Sequence, residues 1–265
     1  MSKANENPAP IAPRVQIRDG FVWDAEDAYL FDIDGTILRS RDRIHFNSFA
    51  SSVREVTGLD ISLNGVVLHG ATDTAILSEA FTAAGVAPEV WQPQQEAVLE
   101  AMRQTVLSRR GEMDLWTMPG IEETLAHLAK RGAMLGLATG NLEEIGWIKV
   151  DVVGLREWFR FGGFSDRFPV RAEMVADAVA QARAITEKDS PSICVVGDTP
   201  RDIDAARANG LHVIAVATGN YNFEELAAHE PDVCASSLAA LLAETIEKDA
   251  PVSDLAGETA LEVQS

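Results

Sequence analysis

Positive charge is scarce in this chain. Its 265 residues carry 22 Lys+Arg against 41 Asp+Glu, a formal net charge of −19. Such a chain projects no field that would gather a polyanion, which excludes bulk nucleic-acid binding and docking on anionic membrane. Lysine is thinner still, with none between Lys3 and Lys130. Cysteine is limited to Cys194, within an apolar run, and Cys234, too few for a disulfide framework or a zinc site. No stretch approaches the roughly 18 continuous apolar residues of a membrane-spanning helix. Met1–Arg14 has no apolar run, so no secretory leader is expected there. A reduced, soluble, cytoplasmic protein is the expectation.

The chain does have the makings of a sizeable core: 46% hydrophobic and 24% charged residues are ordinary globular values. Short apolar runs at 28–33, 133–138, 159–164, 192–196 and 211–216 alternate with helical periodicity, as at 121–130 and 172–184. That alternation predicts an α/β fold, a doubly wound parallel sheet with helices on both faces. Between about Arg43 and Leu115 the pattern is helical throughout, with helices expected over 46–57, 72–84 and 93–109. The predicted organisation is a core of residues 21–42 plus 116–245 and an all-helical insertion at 43–115. Hinges fall near 39–43 and 115–119, and residues 1–20 and 246–265 read as tails.

Two acidic pairs lie at strand ends. Asp32 and Asp34 stand in Phe31-Asp32-Ile33-Asp34-Gly35-Thr36, and Asp198 and Asp202 in Gly197-Asp198-Thr199-Pro200-Arg201-Asp202. Open α/β sheets bind ligands at these C-terminal strand ends. Carboxylates converging on one pocket repel one another unless a cation neutralises them, and an all-oxygen set suits Mg²⁺. Thr139, Gly140 and Asn141 end another run and open a helix, an arrangement that can cradle an anion. Arg171 opens a further helix and could face phosphate. Lys149 is a competing cation, but its mid-pattern position reads as a solvated helix face. The five histidines show no metal-ligand spacing and read as structural, although His45 and His69 fall in the insertion near a prospective substrate.

This ordered set of motifs resembles the haloacid dehalogenase superfamily of Mg²⁺-dependent phosphohydrolases, over about residues 27–245. Within it, Gly70-Ala71-Thr72-Asp73, Pro119-Gly120 and Ala215-Val216-Ala217-Thr218-Gly219 are similar to the phosphoglycolate-phosphatase-like group. The resemblance implies a HAD-like Rossmannoid core whose helical insertion acts as a cap. It also implies roles. Asp32 would be the nucleophile that forms an aspartyl-phosphate, and Asp34 the acid and then the base. Mg²⁺ would be held by Asp32, the Asp34 carbonyl and Asp198, with Asp202 in support. Thr139, Gly140, Asn141 and Arg171 would bind the phosphoryl group. Gly70, Thr72 and Asp73 are the expected specificity loop, and the expected partner is a small phosphorylated metabolite.

A dehalogenase is disfavoured because Asp34 supplies a leaving-group acid that hydrolysis at carbon does not need. A phosphonate hydrolase would need a cap lysine, and the insertion has none. A phosphosugar mutase uses the same first acidic pair and stays open. A phospho-acceptor signalling or binding module is the non-enzyme alternative. Partitioning the charge leaves −4 on the cap and most of the excess on the core, where four acids are placed for a cation.

Overall fold

A computed structural model describes residues 13–186, 188 and 190–249. Along the chain the elements are β1 (Val15–Ile17), β2 (Ala28–Phe31), β3 (Leu38–Ser40), α1 (Ile44–Thr57), α2 (Asp73–Ala83), α3 (Pro88–Trp91) and α4 (Gln95–Ser108). Next come β4 (Leu115–Thr117), α5 (Ile121–Lys130), β5 (Met134–Ala138), α6 (Glu143–Val152), β6 (Gly162–Gly163) and α7 (Arg171–Ile185). The last are β7 (Ile193–Gly197), α8 (Pro200–Ala208), β8 (His212–Val216), α9 (Phe223–Ala227), β9 (Val233–Ala235) and α10 (Leu238–Asp249).

Seven strands form one sheet in the order β1-β9-β8-β7-β2-β5-β6, parallel except for β1. Its central strands are buried on both faces because apolar side chains occupy both sides of the pleat. In β2, Tyr29 and Phe31 point into a cluster with α5, α6 and α10, through residues such as Leu125, Val150 and Leu241. Ala28 and Leu30 point the other way, against Met174 and Ala178 of α7, Ile203 of α8 and Leu226 of α9. This is the doubly wound sheet expected from the sequence.

Details differ. The run 159–164 yields only the two-residue β6, because Phe159, Phe161 and Phe164 pack as core side chains around two glycines. Residues 15–17, read as part of a tail, pair with Val233–Ala235 as an antiparallel edge strand. At the other end α10 runs to Asp249, past the expected boundary at 246. Three-residue strands carry too little periodicity to be seen in sequence. Residues 1–12 and 250–265 of the expected tails lie outside the described residues. Among the described residues, no helix is long and apolar enough to cross a membrane.

Helices α1 to α4 lie between β3 and β4, which pair antiparallel with Leu38 opposite Thr117. Both expected hinges thus belong to one two-stranded ribbon. The helical cluster has its own apolar centre, including Phe49, Val53, Leu77, Phe81, Leu99 and Met102. Phe81 stacks on Trp91 with centroids 4.8 Å apart. Leu142, which caps α6, and Ile145 and Ile148 within it complete this same cluster.

Candidate active site

Strands β2 and β7 are adjacent and in register, Phe31 opposite Val196, so their C-terminal ends deliver Asp32 and Asp198 to one crevice. Asp32 donates its amide to the Val196 carbonyl at 2.9 Å, which extends the ladder one residue beyond the strand. The chain then reverses at Gly35, whose φ of +97° suits glycine. A Cβ there would lie 2.4 Å from Asp198 Oδ2, so glycine also leaves the room that the carboxylate fills. Asp202 comes from the first turn of α8, where Thr199 and Asp202 form a reciprocal capping box.

One carboxylate oxygen from each of Asp32, Asp198 and Asp202 lies within 4.8 Å of the other two, and the three residues are buried. One buried guanidinium answers them. Arg171 Nη2 is 2.9 Å from Asp32 Oδ1 and 2.6 Å from Asp202 Oδ1, while its Nη1 donates to the Gly70 carbonyl at 3.2 Å. Three negative groups around one positive leave the crevice short of cationic charge. Burial raises the Asp32 carboxyl to about 6; Arg171 opposes this, while Asp202 and Asp34 add to it. Burial, then Asp32 and Asp202, push Asp198 well above the carboxylate range. Its hydrogen bond from Thr36 Oγ1 at 3.2 Å offsets only part of that.

Asp34 belongs to a second cluster. Its carboxylate accepts from Lys149 Nζ at 2.7 and 2.8 Å and from Asn141 Nδ2 at 2.8 Å. Lys149 also donates to Asn141 Oδ1 at 2.7 Å, and Asn141 Nδ2 donates to Thr139 Oγ1 at 2.7 Å. Burial favours the neutral acid, but the Lys149 charge, with hydrogen bonds from Lys149 and Asn141, brings Asp34 below its ordinary value. The expectation of a solvated Lys149 is therefore corrected: the residue is 3% exposed. α6 is wedged between the cap cluster and the sheet; its wet side carries Glu143 and Asp151, and Lys149 lies on the buried side with Ile145 and Ile148. Ile145, Ile148 and Val150 around it were the available signal.

Thr139, Gly140 and Asn141 follow β5, the other neighbour of β2, and line the same cavity as Asp32, Asp34, Arg171 and Asp198. Gly70 and Asp73 line it as well, but Thr72 does not. The Thr72 hydroxyl caps α2 and donates to the Pro169 carbonyl at 2.8 Å, which is a clamp between cap and core rather than a specificity contact. Asp73 Oδ2 accepts from the Leu142 amide at 2.9 Å and lies 3.1 Å from His45 Nε2. At Gly140 a Cβ would meet the Ala71 carbonyl oxygen at 2.2 Å, so glycine permits the cap loop to touch the core backbone. His45 and His69 also reach the cavity.

The model of the family described as haloacid dehalogenase-like hydrolase matches residues 29–216. A phosphoglycolate phosphatase of Mesorhizobium japonicum is 29% identical over 130 residues, 49% of this chain and 56% of the relative. This chain thus spans little more than half of that relative's length. A phosphoglycolate phosphatase of Pseudomonas savastanoi pv. phaseolicola is 25% identical over 84% of this chain and 81% of its own. In fold, the chain is similar to the crystal structure of a predicted phosphoglycolate phosphatase from Haemophilus somnus. That likeness has a TM-score of 0.60 at 20% identity, covering 83% of this chain and 98% of the other.

Proposed function

The chain belongs to the haloacid dehalogenase-like hydrolases, and on that premise we propose that it is a Mg²⁺-dependent phosphohydrolase cleaving a small phosphate monoester through an aspartyl-phosphate. One observation carries the reading: Asp32 stands at a strand end with Asp198 and Asp202 within 4.8 Å and a single guanidinium between them. Residues 21–42 and 116–245 act as catalytic core in this reading and 43–115 as cap, supported by the apolar cluster that α1 to α4 gather outside the two clusters flanking the sheet. The relatives named phosphoglycolate phosphatase support the phosphatase chemistry.

The donor set fits a hard divalent cation, being all oxygen, buried and under-neutralised. Asp32, Asp198 and the main-chain carbonyl of Asp34 would hold it, with Asp202 behind them. When bound, Mg²⁺ supplies charge neutralisation at the phosphoryl oxygens. Asp32 attacks phosphorus, forming a bond from its carboxylate oxygen as the ester P–O bond breaks. Asp34 protonates the departing oxygen and then takes a proton from the water that splits the aspartyl-phosphate. Ionised Asp34, held by Lys149 and Asn141, is the form needed for that second step. Entry of the negative ester raises its proton affinity for the first. Arg171, Thr139 and the Gly140 and Asn141 amides take up charge on the transferring group. Two buried free thiols, Cys194 and Cys234, suit a cytoplasmic, reducing setting.

The test is phosphate release from acetyl phosphate and phenyl phosphate, with Mg²⁺ or with a chelator, by wild type and Asp32→Asn. Release that needs both Mg²⁺ and Asp32, with a trappable phosphoenzyme, is the expected result. Equal rates in the two proteins would overturn the reading. Little phosphate release, together with isomerisation of a sugar phosphate primed by a bisphosphate, would assign the mutase alternative.

A further inference from the structure

The cavity that begins at Asp32 has a volume of about 480 Å³ and extends to the cap. Its far wall is built by Phe46, Phe49, Leu63, Leu68, Ile76 and Met113. Several polar groups lining the cavity already have protein partners. His45 Nε2 lies 3.1 Å from Asp73 Oδ2, and His69 Nδ1 lies 2.7 Å from Asn220 Nδ2. Arg39 donates to the Gly219 carbonyl. Lys149 is spent on Asp34 and Asn141.

Arg41 and Arg43 stack on Trp116 and Phe46, at 4.7 and 4.0 Å from the ring centroids, and do not line the cavity. Asp42 adds a negative charge to the lining. A substrate bearing a carboxylate or a second phosphate beyond the scissile bond would meet Asp42 and hydrocarbon there, with Arg39, tied to the Gly219 carbonyl, as the guanidinium on that wall. A sugar fares little better, because each hydroxyl left without a partner against such a wall costs about tenfold in affinity.

We infer that the ester taken by this cavity is the monophosphate of an uncharged, apolar alcohol or phenol, its ring or chain lodged against Phe46, Phe49 and Leu63. This rests on the hydrolase reading of the site and adds the class of its leaving group. Burial of the body on an apolar wall raises affinity by about fourfold per methylene until the cavity is filled.

The experiment uses the full chain with Mg²⁺ and has two arms. In the first, kcat/KM is measured for ethyl, butyl and phenyl phosphate against phosphoglycolate and glucose 6-phosphate, with acetyl phosphate as the generic phosphoryl donor. Phenyl and butyl phosphate are expected to exceed phosphoglycolate at least tenfold. Phe46→Asn and Met113→Gln, both at half-buried positions, should collapse the ratio of butyl to ethyl phosphate. In the second, phenylphosphonate and phosphonoacetate are compared by calorimetry, a readout independent of turnover. Phenylphosphonate is expected to bind at least tenfold tighter.

Equal binding of the two phosphonates, or a butyl-to-ethyl ratio unmoved by both variants, would overturn the apolar-body inference. Failure to hydrolyse acetyl phosphate or any ester, with the binding preference intact, would instead overturn the hydrolase reading.

Discussion

Replacing Asp198 by Asn should make the metal-free protein more stable while removing its activity. In the native crevice Asp198 faces Asp32 and Asp202, with oxygens within 4.8 Å of one another. At an effective dielectric of about 20, each such pair costs roughly 3.5 kcal/mol. Arg171, which contacts Asp32 and Asp202 directly, cancels about one of the two for Asp198. A neutral amide of the same shape keeps an oxygen for Thr36 Oγ1 and releases about 3 kcal/mol, or roughly 6–12 °C in Tm for a domain of this size.

The gain must depend on pH, with a fixed sign. Asp198 and Asp32 have folded pKa values raised by burial first and by each other next, that of Asp32 to about 6. A carboxyl raised in this way costs nothing while protonated in both states. The cost appears as pH climbs from the unfolded value through the folded one. Melts in EDTA should therefore show little difference below about pH 4 and an advantage of Asp198→Asn that grows as pH is raised from there toward 8. Millimolar Mg²⁺ should raise the wild type and reverse the ranking, since binding to the native state alone stabilises it. A variant that melts below wild type in EDTA at pH 8, or an equal Mg²⁺ shift in both proteins, would refute the electrostatic account.

Lys149→Met keeps a long apolar stem beside Ile148 and Val150 but removes the charge opposite Asp34. Turnover should fall about a hundredfold, the scale of a lost proton-transfer function. With its main counter-charge gone and only the Asn141 hydrogen bond and His45 left to favour the anion, the Asp34 pKa rises, so the acidic limb of the pH–rate profile should move to higher pH; an unmoved limb would count against the pairing. Asp42→Ala tests the ribbon. Its carboxylate accepts from the Ile44 and Asp114 amides at 2.8 Å each and from Ser40, so its loss should cost about 1 kcal/mol by thermal melt. Burial raises the Asp42 pKa, but those donors bring it below 3.8. The stabilisation is thus present above that value, and the gap between variant and wild type should close as pH falls beneath it.

Much of the site is legible in the sequence because strand order converts linear motifs into neighbours. Asp32, Thr139 and Asp198 each follow an apolar run, and three adjacent parallel strands must present such residues along one edge. What escaped depends on contacts between elements distant in sequence. The burial of Lys149 follows from α6 lying beneath the cap. The roles of Thr72 and Asp73 follow from a loop that docks on residues about 70 to 100 positions away. Edge strand β1 escaped because three residues offer no period, and its partner Val233–Ala235 is equally short.

Helix α6 belongs to two cores at once. Leu142, Ile145 and Ile148 close the cluster of α1 to α4, while Val150 and Gly146 face the sheet side. The insertion is consequently not a cassette. Cut out at its hairpin and moved to another chain, it would carry an open hydrocarbon face where α6 had been. A recipient could accept it only by supplying a helix with the same three apolar positions. Recombination at the ribbon alone therefore transfers an unfinished domain, and exchange of caps between relatives has to carry α6, with Lys149, along with them.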